Sequence, residues 1–196
     1  MNWWDAAYFC NQLSQSEGMQ DSALCYLQST VDKTAWNAHP DVVQRSAYRL
    51  PTSAEWEYAA RGGTDTRRHF GSGTGLLDSY AWTGSRSLTR PKETGLLLPN
   101  QFGLFDSLGN VTEWCQTWHS EKDRASKVIE GHRIGGVLDG FEGKKGDYFQ
   151  RDYRGGSFQE AENFVFESLR YDSADSMRNR SDRVGFRIAR TLPESE

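Results

Sequence analysis

Apolar residues at Trp3, Trp4, Ala7, Phe9, Cys10 and Leu13 recur at helical spacing, with Asp5 in the first turn and Gly18 just past the last. The pattern predicts an amphipathic helix over residues 3–16 whose job is packing. Tyr48 to Gly63 announces a second helix. Pro51 calls for an extended residue before it, Thr52 suits the N-cap, Glu55 takes the capping-box position and Gly62 takes C′. Trp56, Ala59 and Ala60 are expected to face the core. Arg183 to Arg190 alternates apolar and basic residues and predicts one full strand closing the domain. Tyr153 to Phe158 predicts another strand, with Gly155 and Gly156 where a second backbone or a ligand comes close.

The segments between carry weaker patterns. Residues 19–47 have no period apart from an apolar patch at Leu24 to Leu27, and read as an irregular, partly stranded connection docked by Trp36. Residues 62–98 are rich in Gly, Thr, Ser and Arg and predict a long loop with brief strands at 80–82 and 96–98. Residues 119–150 read as a polar surface insertion. Residues 159–182 interleave acids with Arg170, Arg178 and Arg180, the pattern of a solvated loop of mixed charge.

The chain is organised around Pro99 to Trp118, where an apolar-aromatic strand is expected to enter a turn and leave as a second aromatic segment. Asp106 and Glu113 flank a Gly109-Asn110 pair, a dipeptide suited to positive φ. Such a turn aims carbonyls inward, and two carboxylates added to them make the hard-oxygen set that Ca²⁺ takes. A tight hairpin with solvated acids is the alternative at this stage.

Composition narrows the class. The 196 residues suit one domain, and 13% aromatic against 36% hydrophobic residues points to a core of Trp, Tyr and Phe. A formal charge of -4 gives no electrostatic reason to expect nucleic acid. No run approaches the length of a membrane span, and no leader pattern is visible. Cys10, Cys25 and Cys115 are too few and scattered for a disulfide framework or a zinc site, and their odd number suits a reducing, cytoplasmic compartment. The four histidines lie far apart, without metal-motif spacing. P-loop, dinucleotide and nucleophile-elbow motifs are missing.

Four motifs in order, YRLPTSAEWEYAARGG, PNQFGLFDSLGNVTEW, YRGGSF and RVGFRIAR, resemble the formylglycine-generating enzyme (sulfatase-modifying factor) family. The resemblance implies an α+β fold, a variant of the C-type lectin fold with short twisted antiparallel strands, two helices and many long loops. It implies a single domain over residues 1–192, with 193–196 a tail. The family's N-terminal strands have no counterpart before Met1, which points to a fragment of a longer polypeptide. The family's second calcium site would fall on the side chains of Asp106 and Glu113 and the carbonyls of Gly109 and Val111.

Catalytic members oxidise a sulfatase cysteine with molecular oxygen and a copper ion held by two cysteines. Those slots are Glu160 and Val165 here, and Thr112 replaces a common tryptophan, so the copper chemistry has no visible seat. Relatives lacking these cysteines serve as binding modules in retroelement variable proteins or on bacterial signalling kinases. The expectation is therefore a non-catalytic binding domain, with a formylglycine-generating or related oxidase as the alternative. Its protein or small ligand would be met through the loop after Ser157, using Ser157, Glu160, Glu162, Arg170 and Arg178. Oligomeric state is left open.

Overall fold

The computed structural model describes residues 1–86, 88–119, 150–167, 170–172 and 179–192. Helix α1 runs Trp3–Ser16, and its N-cap is a reciprocal box in which Asn2 Oδ1 accepts the Asp5 N–H while Asp5 accepts the Asn2 N–H. Short strands β1 (Tyr26–Gln28) and β2 (Trp36–Ala38) then form an antiparallel pair. The Asn11 carboxamide anchors α1 to this pair by donating to the Tyr26 carbonyl at 2.8 Å. Strand β3 (Tyr48–Arg49) leads through Pro51 into helix α2 (Ser53–Arg61). Thr52 and Glu55 close the capping box, and Gly62 ends the helix at φ +59°, beside the Gln101 backbone. A side chain at Gly62 would meet both strain and crowding.

Among the described residues the largest sheet has four strands in the order β6-β5-β4-β7, with β4 at Thr112–His119, β5 at Gln150–Arg154, β6 at Arg170–Asp172 and β7 at Val184–Phe186. β4 pairs antiparallel with β5 but parallel with β7. The last strand, β8 (Ala189–Arg190), leaves this sheet and pairs with β3. The expected single strand over 183–190 is therefore two short strands that separate at Arg187-Ile188, because each half hydrogen-bonds to a different partner.

Trp3, Cys10, Cys25, Tyr26, Leu50 and Trp114 are buried in the main core, with Trp36 packed against it. Two polar groups inside it are paired: Trp3 Nε1 donates to the Cys115 carbonyl at 3.0 Å, and the Tyr26 hydroxyl donates to Gln116 while accepting the Leu50 N–H. On α2, Trp56 and Ala60 are buried, whereas Ala59 is only half-buried.

Two further expectations are corrected. Residues 99–106 form a loop rather than a strand, held by Asn100, whose carboxamide bonds the 59 and 60 carbonyls and the 102 and 104 N–H groups. Residues 77–80 form a four-residue helix, α3 (Leu77–Tyr80), and Trp82 makes only an isolated bridge to Gly109. Among the described residues there are three α-helices, where two were expected. The anticipated insertion at 119–150 lies almost wholly outside the described residues. No helix among the described residues is long and apolar enough to cross a membrane.

Candidate functional site

The central turn is built from residues in the left-handed region: Asp106 at φ 53°, Gly109 at φ 69° and Asn110 at φ 57°. Gly109 is required twice over, since a Cβ there would stand 2.3 Å from the Trp82 carbonyl oxygen. The Asn110 carboxamide accepts the Lys92 N–H and donates to the Lys92 carbonyl. On the other side, the Gly109 N–H donates to the Gly155 carbonyl and Phe158 N–H donates to the Asn110 carbonyl, both within 2.9 Å. The turn thus fixes the start of the loop after β5.

Glu113 opens the way from this turn into β4, and its buried carboxylate is already engaged. Trp56 Nε1 donates to Oε2 at 2.6 Å, and Arg187 grips both oxygens through Nε and Nη2, the latter at 2.8 Å from Oε1. The same Nη2 reaches the Phe105 and Asp106 carbonyls at 3.2 Å. Burial works against the Arg187 charge, but Glu113, with Asp106 beyond it, raises the guanidinium pKa above its ordinary value. Asp106 Oδ2 accepts the Gly95 N–H at 2.7 Å. A carboxylate offers about four lone-pair sites, so Glu113 retains one on Oε1 and Asp106 retains acceptor capacity on Oδ1. The turn therefore carries two carboxylates with acceptor capacity left on each, and Arg187 already supplies positive charge there.

The loop after Ser157 is held from outside by arginines that sequence patterning does not flag. Arg68 donates to the Val165 carbonyl at 2.8 Å and to the Glu162 carbonyl at 2.7 Å, and Arg67 reaches the Asn163 carbonyl at 2.8 Å. Burial, and then the neighbouring Arg67, lower the Arg68 pKa. Gly84 N–H donates to the Glu160 carbonyl at 2.8 Å, which brings the 84–86 turn against this loop. Between them lies a shallow cleft of about 430 Å³ lined by Gly84, Ser85, Gln159, Ala161 and Glu162.

Of the expected binding residues, Glu162 lines this cleft, Glu160 lies between the lining residues Gln159 and Ala161 with its carbonyl taken by the Gly84 N–H, and Ser157 is buried. Arg170 belongs to β6, and Arg178 lies outside the described residues. Val165 is fully buried with Leu77, Ala81 and Leu108 in a small core of its own. Nearby, the Glu167 carboxylate accepts the His69 N–H at 2.7 Å and pairs with His69 Nδ1 at 2.9 Å. Sequence spacing gave no sign of this buried pair, whose members are 98 positions apart.

Copper(I) selects soft thiolates, and the thiols of this chain are elsewhere. Cys10, Cys25 and Cys115 are all buried, and burial pushes Cys10 up to about 12, Cys25 up to about 11 and Cys115 higher still. A carboxylate at 160 and an isopropyl group at 165 do not fit the family's copper.

Comparison with known proteins agrees with this geometry. The sulfatase-modifying factor enzyme 1-like domain matches residues 1–192. A chaperone protein LppX of Paenibacillus barcinonensis is 32% identical over 160 residues, covering 69% of this chain and 57% of that protein. A formylglycine-generating enzyme of Streptomyces coelicolor is 35% identical over 114 residues, covering 52% of this chain and 36% of its own length. The chain thus spans less than two thirds of either relative. The solved structure of Treponema denticola variable protein 1 superposes with a TM-score of 0.73 at 28% identity, covering 96% of this chain and 68% of that one. The family match over residues 1–192 and the shared fold place this chain in the sulfatase-modifying factor (formylglycine-generating enzyme) family.

Proposed function

We propose that this chain is a non-catalytic member of the family that binds a small ligand or another protein through the loop after Ser157. The observation that carries the reading is the fate of the two cysteine slots: one is a glutamate beside an open cleft, the other a valine sealed into a core. The cleft is pre-organised, since Arg67, Arg68 and Gly84 hold the loop by its backbone and leave its side chains for recognition. Relatives named as a chaperone, an enzyme and a variable protein share the scaffold, which agrees with function residing in the loops. Calcium, in this proposal, is a structural ion held by Asp106, Glu113 and the Gly109 and Val111 carbonyls, where it would clip the turn. It takes no part in recognition.

The second reading, a formylglycine-generating oxidoreductase or related oxidase acting on a protein cysteine, has the names of relatives on its side. Titration with Cu(I) against a chromophoric chelator separates the two. The binding-module reading expects no stoichiometric capture of copper by the chain, and tight one-to-one capture sinks it.

A further inference from the structure

A second concavity, of about 440 Å³, lies on the side of the domain formed by the start of α1, the β1–β2 connection and Arg180. Trp4, Tyr8 and Trp36 contribute aromatic surface to it, and Asp5, Asp32 and Arg180 contribute polar groups. Tyr8 and Trp36 lie 5.6 Å apart between ring centroids at 46°. Rings that close together make one continuous tilted platform, with no gap between them in which an ammonium group could be caged.

The charges point the same way. Arg180 holds Asp5 bidentately, at 2.9 and 2.8 Å, and this contact keeps the Asp5 carboxyl below its ordinary range. Asp32 accepts both the N–H and the hydroxyl of Thr34. With Asp5 paired to Arg180 and Asp32 engaged by Thr34, an anion would meet two carboxylates and a cation would meet Arg180. A neutral ligand with many hydroxyls suits the site better. Its ring C–H face can stack on the indole and phenol, while adjacent hydroxyls bridge the planar carboxylate and guanidinium edges, which have lone pairs and N–H groups to spare.

We infer that this cleft is a saccharide-binding site that takes a neutral pyranose ring on the Tyr8–Trp36 platform, with its hydroxyls at the Asp5–Arg180 pair. It is separate from the loop after Ser157, and it requires no metal.

The test titrates the chain with methyl glucoside, methyl galactoside, methyl mannoside, cellobiose and lactose. Tetramethylammonium chloride and adenosine serve as comparators. Indole fluorescence and saturation-transfer NMR report binding. At least one saccharide is expected to give a saturable response with ring C–H protons closest to the aromatic side chains. Tyr8→Ala and Arg180→Ala alter exposed side chains, so they are expected to leave the melting temperature unchanged and weaken binding about tenfold each. Trp36→Ala removes binding altogether. No saturable response to any saccharide overturns the inference, as does a response confined to tetramethylammonium or adenosine, or saccharide binding that survives both exposed-residue variants intact.

Discussion

Arg187 and Glu113, 74 positions apart, form a bidentate ion pair at the point where the central turn becomes strand β4. Trp56 on α2 caps the same carboxylate. Helix, turn and C-terminal segment are thereby joined through one side chain, whose 7% side-chain exposure makes an unpaired charge there costly.

Removing one member of this pair leaves the other stranded. Arg187→Ala is expected to destabilise the fold by about 3 kcal/mol, the lower end of the range for buried pairs, because the guanidinium is 22% exposed. Urea unfolding measures it. A loss under about 1 kcal/mol would class the pair with ordinary surface bridges.

If the turn holds calcium, chelation lowers the melting temperature, since an ion that binds only the folded state stabilises it. Asp106→Ala is expected to abolish that shift. A melting curve unchanged in excess chelator counts against the ion.

Glu55 is both a capping residue and the partner of Arg49, which donates to its two oxygens at 2.7 and 2.8 Å. Burial pushes its carboxyl up, but the Arg49 and Thr52 hydrogen bonds and the Arg49 charge outweigh this and hold it below its ordinary range. A depressed carboxylate stabilises the fold above its unfolded pKa, about 4.3 for Glu, and loses that contribution as pH falls through the folded value. Stability should therefore be flat in this respect near neutrality and decline in acid. Glu55→Gln should flatten part of the acid limb, and an identical acid profile in that variant would refute the linkage.

Gly84 has an ordinary backbone conformation, yet a Cβ there would lie 2.7 Å from the Gln159 carbonyl oxygen. Gly84→Ala should push the loop after Ser157 away and raise amide exchange over residues 157–162 while leaving α1 protected. Uniform exchange across the domain would mean that the contact is not a local clasp.

The helices were legible because their signals are local. Asp5, Thr52, Glu55 and Gly62 each act within one turn of chain, so α1 and α2 stand where the spacing places them. The strands were less so. Arg183 to Arg190 has the alternation of one strand, but its two halves pair with β4 and β3, and no sequence period records a choice between partners. The aromatic run before Asp106 reads as a strand, yet Asn100 bonds the backbone around it and makes a loop instead. At the candidate sites, Asp106, Gly109 and Glu113 were visible as a turn with acids. Arg187, Arg67, Arg68 and the His69–Glu167 pair were not, since their meaning lies in contacts between distant segments.

The reading of the chain as a binding domain is tested most directly by incubating it with Cu(I), oxygen and a cysteine-containing sulfatase peptide, and following the peptide by mass spectrometry. The expected result is an unmodified cysteine after prolonged incubation, under conditions where a formylglycine-generating enzyme converts the peptide. Copper-dependent appearance of formylglycine would contradict it.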